Sequence, residues 1–286
     1  MPAPLCCLDG EILPLAEARV SVMDRGFVFG DSIYEVMRLY AGRMWLEEAH
    51  YGRLERSLRE MQFTDFHLDR LRTRVASLIA ASHEPEATVY IQITRGVAPR
   101  LHAFPDPSVP PTELIIVRPY DDAATSVLRE TGVSCVTHPD IRWGRCDVKS
   151  TNLLANVMAN EFAHRNGAYE AIFIDHNIVT EATHSSLLWV RDGRLEATPN
   201  GYEILPGTTR NGLPLPHGLR VHEVLINLDE LLRAEEVILT GTTIEVMPVI
   251  EVNGHMIGNG KPGALTRRFQ AAFRDTVATW LEGSEQ

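Results

Sequence analysis

The secondary-structure patterns of this chain mix strands and helices without a regular order. Residues 87–94 alternate like a strand, residues 47–61 repeat apolar side chains at helical spacing, and Asp192-Gly193 marks a hairpin turn. A doubly wound parallel sheet needs strands and helices that alternate steadily, and this pattern is absent. The sequence therefore predicts an α+β fold rather than a doubly wound one.

The length of 286 residues allows two domains that each bury a core. Polar residues after Pro119 are typical of a connection between domains. We expect a smaller N-terminal domain at 1–120, an interdomain linker at 121–129 and a larger domain at 130–286.

The charge and the cysteines set limits on the function. A net charge of −11 argues against nucleic acid or an anionic membrane as the main partner. The sequence has no run of about 18 apolar residues and no pattern of a secretion signal. Its four cysteines have no zinc-ligand spacing and are too few for a disulfide framework. We therefore expect a cytoplasmic protein without a metal site.

Lysine is almost absent from the sequence, which has 25 Arg but only Lys149 and Lys261. An arginine side chain stays charged and cannot form a Schiff base, whereas a lysine can. Lys149 precedes a predicted helix that Ser150-Thr151-Asn152 would cap, and a helix N-terminus lowers the pKa of a nearby amine. Lys149 is thus a candidate Schiff-base residue, although most lysines are merely solvated.

Two turns rich in glycine and threonine could bind a phosphate. They are Leu205–Arg210 and Thr240–Thr243. Either turn alone is unspecific, but together with a lone lysine they suggest a phosphorylated aldehyde, pyridoxal 5'-phosphate (PLP). Glu181 ends a predicted strand, and a carboxylate beside the pyridine nitrogen would keep the ring an electron acceptor.

At this point the sequence resembles the fold-type IV (class IV) PLP-dependent aminotransferases over nearly its whole length. The motifs that carry the resemblance are Asp24-Arg-Gly-Phe-Val-Phe-Gly-Asp31 with Tyr34-Glu35, His50-x-x-Arg53, Asp147-Val-Lys149-Ser-x-Asn152, Val179-Thr-Glu181, Leu205-Pro-Gly-x-Thr209-Arg210 and Thr240-Gly-Thr-Thr243. The resemblance implies a smaller N-terminal α/β domain, a larger β-barrel-like domain with helices, and a homodimer whose active site is shared across the interface.

The resemblance also assigns roles to residues. Lys149 is expected to carry the Schiff base and shuttle the proton, and Glu181 to face the pyridinium nitrogen. Expected cofactor contacts besides these are made by Arg53, Leu205, Thr208, Thr209, Gly241 and Thr242. Of these, Arg53, Thr209 and the Gly241–Thr242 turn would hold the phosphate, and Leu205 would pack on the ring.

Within the family, the sequence is most similar to the D-amino-acid aminotransferases. In that subgroup an Arg and a His, here Arg100 and His102, grip the substrate α-carboxylate with a Tyr that matches Tyr34. Without the resemblance, Arg100 and His102 would be taken for surface residues of the Pro-rich loop 96–111. Thr183 and Thr243 are also expected to border the substrate.

The implied reaction moves the amino group of a D-amino acid, such as D-alanine or D-glutamate, to 2-oxoglutarate or pyruvate by a ping-pong mechanism. Alternatives of the same fold are a branched-chain L-amino-acid aminotransferase, an aminodeoxychorismate lyase and an (R)-amine transaminase. A PLP-binding protein without turnover is a further alternative. The run Ala182–Ser186 departs from the small Gly and Ser residues usual in the family, and this leaves the substrate breadth open.

Overall fold

The computed structural model describes residues 4–64, 66–201, 203–212, 214–215 and 219–283. It divides into two compact units, one of Met1–Asp121 with Val148–Asn152 and one of Asp122–Asp147 with Leu153–Gln286. The predicted linker at 121–129 instead carries most of a helix that is counted with the second unit. The short segment 148–152 belongs to the first unit, although the residues before and after it in the sequence belong to the second.

The first unit is an antiparallel sheet covered by two helices. Its strands are β1 (Leu5–Leu8), β2 (Glu11–Pro14), β3 (Ser32–Tyr40), β4 (Arg43–Met44), β5 (Ala87–Thr94) and β6 (Glu113–Pro119), and its helices are α1 (Arg25–Phe29), α2 (Glu47–Glu60) and α3 (Leu68–Ser82). Among the described residues the sheet has six strands in the order β2-β1-β6-β5-β3-β4. Helices α2 and α3 bury Leu54, Leu71 and Leu78 in a core with Val89 and Ile91 of β5. The apolar spacing that predicts these helices therefore faces the sheet.

The segment 148–152 lies along β3. The Tyr34 N–H donates to the Lys149 carbonyl at 2.9 Å, and Ser150 forms an isolated bridge with Ile33. Val148 is buried in the core of the first unit. These contacts fix the backbone on both sides of Lys149.

The second unit is built on a mixed sheet. Its strands are β7 (Val133–Pro139), β8 (Glu170–Asp175), β9 (Ile178–Ala182), β10 (Ser186–Arg191), β11 (Arg194–Ala197), β12 (His222–Glu223), β13 (Glu236–Gly241), β14 (Glu245–Val252) and β15 (His255–Met256). Its helices are α4 (Ala123–Thr131), α5 (Leu154–Arg165), α6 (Thr208–Asn211), α7 (Leu228–Leu232) and α8 (Ala264–Glu282). The strand order in the described residues is β12-β11-β10-β13-β14-β7-β8-β9, with β15 added on β14. Strands β9 and β10 also contact each other, so the sheet curls like part of a barrel.

At three places the structure differs from what the local sequence patterns indicate. Residues 19–23 alternate like a strand, but they form none because Val20 and Val22 are exposed and no neighbouring strand pairs with them. Strands β1 and β2 give too short a pattern to be predicted. Helix α5 begins after Leu153 without a side-chain cap, because the Asn152 amide donates to the Gly30 carbonyl instead.

Within the described residues, no helix is both long and apolar enough to span a membrane. The same residues contain no group of three or more His, Cys, Asp or Glu that could hold a metal ion.

Candidate active site

Lys149 lies beside Tyr34 in the first unit. Its Nζ atom is 4.2 Å from the centre of the Tyr34 ring. Its backbone N–H donates to the Ser57 hydroxyl at 3.4 Å. Lys149 is half-buried, so its amine is neither fully solvated nor enclosed in the core. A rigid backbone and an aromatic neighbour therefore orient this amine.

Arg53 is held by a buried carboxylate on the neighbouring strand. Its guanidinium donates through Nε to Glu35 Oε1 at 2.7 Å and through a terminal nitrogen to Glu35 Oε2 at 2.9 Å. His50 Nδ1 lies 2.8 Å from the same Oε2. Burial alone would raise the pKa of Glu35, but the charge and hydrogen bonds of Arg53 hold it well below its usual range. Glu35 thus stays ionised and fixes the direction of Arg53.

Arg100 and His102 lie on the exposed loop 96–111. The Arg100 guanidinium carbon is 5.1 Å from the centre of the Phe29 ring, and the His102 ring is 5.5 Å from the same ring. Both side chains are solvent-exposed. The structure thus brings the predicted carboxylate-binding pair together on one aromatic side chain.

Glu181 occupies a buried ion-pair network in the second unit. Arg142 donates to Glu181 Oε1 at 2.5 Å and to Asp140 Oδ2 at 2.7 Å. The Leu205 N–H donates to both Glu181 oxygens at 3.1 and 3.2 Å. The network places the Leu205 backbone directly against the Glu181 carboxylate.

Burial and the hydrogen-bond donors around Glu181 have opposite effects on its pKa. Burial raises the pKa of Glu181 to about 7, although Arg142 and the Leu205 N–H oppose the rise. Hydrogen bonds from Arg142 and Thr180 hold the pKa of Asp140 below its usual range despite burial. Glu181 is therefore the acid of this pair that can exchange a proton near neutral pH.

Hydroxyl groups cluster around the turn Gly207–Thr209. Thr208 and Thr209 are buried at the start of α6, and a Cβ atom added to Gly207 would lie 2.2 Å from the Ser186 hydroxyl. Ser186 is also paired with Thr240 across β10 and β13. Ser186 thus lies next to both the Gly207 turn and Thr240 of β13.

The second glycine-rich turn follows directly on Thr240. The Thr240 hydroxyl is buried without a hydrogen-bond partner among the described atoms. A Cβ atom on Gly241 would lie 3.8 Å from the Ser185 hydroxyl. Thr242 and Thr243 complete the turn and are half-buried. A buried hydroxyl without a partner suits a ligand oxygen, so this turn fits a phosphate.

The Thr183 side chain forms hydrogen-bond contacts within the second unit. Its hydroxyl lies 3.1 Å from the buried carboxylate of Glu170 and 3.3 Å from Asn160 Oδ1. The His184 N–H and the Ser185 hydroxyl donate to Glu170 as well, at 2.6 and 2.8 Å. Glu170 thus organises the run 182–186 that departs from the family pattern.

Sequence reasoning missed the partners that orient the site. Glu35 and His50 belong to the motifs given above, but no function was assigned to them. Arg142 belongs to none of those motifs. Arg142 has no sequence signal, because its two acidic partners are 2 and 39 positions away. Such a network becomes visible only when the strands are paired.

Comparison with known proteins places this geometry in a family. Residues 32–252 match the family model of amino-transferase class IV. The chain is 38% identical over 278 residues to a D-alanine aminotransferase from Staphylococcus haemolyticus, covering 94% of this chain and 96% of the relative.

Two solved structures share the fold. A branched-chain amino acid aminotransferase from Escherichia coli superposes with a TM-score of 0.89 at 25% identity, covering 96% of this chain and 94% of that one. A hypothetical aminotransferase from Mycobacterium tuberculosis, in its PLP-bound form, has a TM-score of 0.80 at 23% identity, with coverages of 94% and 96%. The fold-type IV prediction is confirmed, and the chain belongs to the amino-transferase class IV family.

Proposed function

We propose that the chain is a PLP-dependent transaminase that moves the amino group of a D-amino acid to a 2-oxo acid. The D-amino acid would be of the D-alanine or D-glutamate type, and the acceptor 2-oxoglutarate or pyruvate. Membership of the aminotransferase family and 38% identity to a D-alanine aminotransferase over nearly the full length support this choice.

The observation that carries the proposal is the position of Lys149. Its amine is 4.2 Å from the Tyr34 ring, and Glu35 on the same strand orients Arg53. A lysine for covalent attachment and an arginine for a phosphate thus lie on neighbouring parts of one unit. An ordinary surface lysine would have neither a fixed backbone nor such neighbours.

When bound, PLP supplies an aldehyde for covalent attachment of an amine and a ring that accepts electron density. Lys149 would hold the aldehyde carbon through Nζ and, once released, carry the proton to and from the substrate Cα. Glu181 would face the ring nitrogen and hold its proton, with Arg142 keeping the carboxylate in place. Leu205 would pack on the ring, as its contact with Glu181 suggests.

In the second unit, the phosphate would lie among the hydroxyls of the two glycine-rich turns. Thr208, Thr209 and Thr242 would donate to it, and the absence of a Cβ atom at Gly241 would let the backbone approach closely. The unpartnered hydroxyl of Thr240 supports this fit. The residues present are therefore those that PLP needs.

Substrate recognition would rest on the carboxylate. Arg100 can bind a carboxylate through two N–H groups, and His102 and the Tyr34 hydroxyl add donors. Thr243 and Thr183 would border the substrate, although Thr183 would then share its hydroxyl with Glu170. The donors required for an α-carboxylate are thus present in the chain.

We include a homodimer in the proposal. Leu154, Val157, Met158 and Phe162 lie on one face of α5 and are all exposed, from 43% for Phe162 to 74% for Leu154. An apolar face of this kind is typical of an interface, and a second copy is the partner that the family suggests. A cytoplasmic location belongs to the proposal as well, since all four cysteines are free thiols.

The test is the visible absorption of the PLP-loaded protein after addition of an amino acid. D-alanine should bleach the band of bound PLP, while L-leucine at the same concentration should leave it unchanged. Bleaching by L-leucine alone would contradict the D-preference and favour the branched-chain alternative. A purified protein that takes up no PLP at all would contradict the transaminase assignment itself.

A further inference from the structure

The loop 96–111 has no regular secondary structure apart from a bridge at Val97. Its residues 99–104 are all exposed, so packing against the core does not fix them. A loop of this kind normally samples several conformations, which would cost affinity for a carboxylate held by two of its side chains. Some other contact must hold Arg100 and His102 in place.

Arg25 makes that contact from the short helix α1. One terminal nitrogen of its guanidinium donates to the Leu101 carbonyl at 2.6 Å and to the Ala103 carbonyl at 3.2 Å. These two carbonyls stand on either side of His102, and Leu101 follows Arg100 directly. A single buried guanidinium thus sets the backbone direction of both carboxylate-binding residues.

Asp31 binds the Nε side of the Arg25 guanidinium, which leaves a terminal nitrogen for the loop. Arg25 Nε donates to Asp31 Oδ2 at 2.8 Å, and Arg95 Nε donates to the same oxygen at 2.9 Å. All three side chains are buried, with 4% of Arg25, 8% of Asp31 and 9% of Arg95 exposed. One carboxylate between two arginines leaves a net positive charge, which backbone carbonyls stabilise.

Arg95 extends the same network to the next part of the loop. Its guanidinium donates to the Met61 carbonyl at 2.6 Å and lies 3.7 Å from the centre of the Phe104 ring. Phe104 follows Ala103 in the loop. The loop is therefore held at Leu101, Ala103 and Phe104.

Phe29 supplies the surface on which the two side chains rest. Its ring centre is 4.8 Å from the Arg25 guanidinium carbon and 5.1 Å from that of Arg100, and the His102 ring is 5.5 Å away. Contacts of a guanidinium with an aromatic ring are favourable and directional. Phe29 thus connects the anchor to the recognition pair.

We propose that Arg25, fixed by Asp31, is a positioning residue for carboxylate recognition: it holds the loop tip so that Arg100 and His102 face the substrate from the Phe29 ring. The inference rests on the proposed function for the identity of the carboxylate. The anchoring itself follows from the contacts of the first unit alone. Arg25 is not expected to touch the substrate.

The test compares Arg25→Lys with the control Arg70→Lys in the PLP-loaded enzyme. A lysine keeps the charge, but its single ammonium cannot reach Asp31 and both carbonyls together. Arg70 is instead paired with Glu113 of β6 and is 46% exposed. Arg25→Lys should raise KM about tenfold or more for both D-alanine and 2-oxoglutarate, with kcat changed less than about threefold. Arg70→Lys should change neither constant.

A double-variant comparison separates positioning from general damage. In an Arg100→Ala/His102→Ala background, Arg25→Lys should change KM by less than about twofold, because its effect passes through those two side chains. A further rise of about tenfold in that background would overturn the proposal. Should Arg25→Lys fail to fold, Phe29→Leu at a half-buried position tests the ring contact that connects Arg25 with Arg100 and His102, and it should raise both KM values.

Limited digestion with trypsin gives a readout that does not depend on turnover. Arg25→Lys should be cut after Arg100 about tenfold faster than the parent protein or Arg70→Lys, releasing the fragment 1–100. Equal cleavage rates would overturn the anchoring role. If Arg100→Ala by itself leaves both KM values unchanged, the proposed carboxylate role fails instead, and the trypsin result alone decides on Arg25.

Discussion

At the scale of single residues, the two lysines of the chain differ in their surroundings and can be compared by substitution. Lys149 is half-buried beside Tyr34, whereas Lys261 is exposed in a turn where its N–H donates to the Asn259 side chain. Replacing Lys149 by Ala should reduce kcat for D-alanine more than about a thousandfold, because both the covalent attachment and the proton carrier are lost. Lys261→Ala should keep full activity in the same steady-state assay. Substantial turnover in Lys149→Ala would contradict the mechanism.

Glu181 gives a prediction about pH at the same scale. Burial raises its pKa to about 7 from an ordinary value near 4.5, so the folded protein without PLP binds the proton more tightly than the unfolded chain does. The free energy of unfolding should therefore fall as the pH rises from about 4.5 to about 7, by an amount on the order of 3 kcal/mol.

The measurement is urea unfolding of the PLP-free protein across this pH range. Glu181→Gln should remove that part of the fall, since its amide does not titrate. Glu55→Gln, at an exposed position of α2, should leave the pH profile of the parent unchanged. Identical profiles for the parent and Glu181→Gln would show that folding does not raise the pKa of Glu181.

At the scale of elements, the turn before α6 should tolerate no side chain at Gly207. The backbone angles there, φ −65° and ψ 126°, suit any residue, so strain is not the obstacle. An added Cβ atom would instead lie 2.2 Å from the Ser186 hydroxyl and push the turn away from β10. Gly207→Ala should therefore weaken PLP binding about tenfold or more, as measured by fluorescence titration of the PLP-free protein.

A suitable control for Gly207→Ala is Gly52→Ala. Gly52 lies inside α2, where an added Cβ atom would meet nothing within 4 Å. Alanine there should stabilise the helix by up to about 1 kcal/mol and leave the PLP affinity unchanged. Equal PLP affinity in both variants would show that the Gly207 turn does not hold the phosphate.

At the scale of the whole molecule, the exposed face of α5 predicts an assembly. Val157 is part of that face and is 60% exposed. A glutamate at this position would bury a charge in the proposed dimer interface, so Val157→Glu should sediment as a monomer where the parent sediments as a dimer. Val127→Glu, at a valine of α4 that is 58% exposed, serves as the control and should sediment as a dimer. A parent protein that is itself monomeric would contradict the dimer.

Most elements could be predicted because their signals are local. The spacing of Leu54 and Leu58 predicts α2, and Asp192-Gly193 predicts the turn between β10 and β11. The strands β1 and β2 could not be predicted, since four residues each give no reliable pattern and their place depends on pairing with β6. The exposed Val20 and Val22 mimic a strand for the same reason, because alternation alone does not supply a partner.

The sequence by itself determined the chemistry available to this protein. Lys149, Glu181, Arg53 and the two glycine-rich turns keep their residue types and order whatever the fold does, and those types indicate a phosphorylated aldehyde cofactor. Motifs in a fixed order were sufficient to indicate the family, because each motif is a short stretch of contiguous residues.

Only the tertiary structure decided which side chains orient that chemistry. These side chains act through ion pairs or hydrogen bonds in the interior. Glu35 binds Arg53, Arg142 binds Glu181, and Arg25, held by Asp31, binds the loop that carries Arg100. Most of their partners lie 18 to 76 positions apart in the chain. A buried charge requires a partner, but the sequence does not specify which one, since strand pairing and loop closure set the distances.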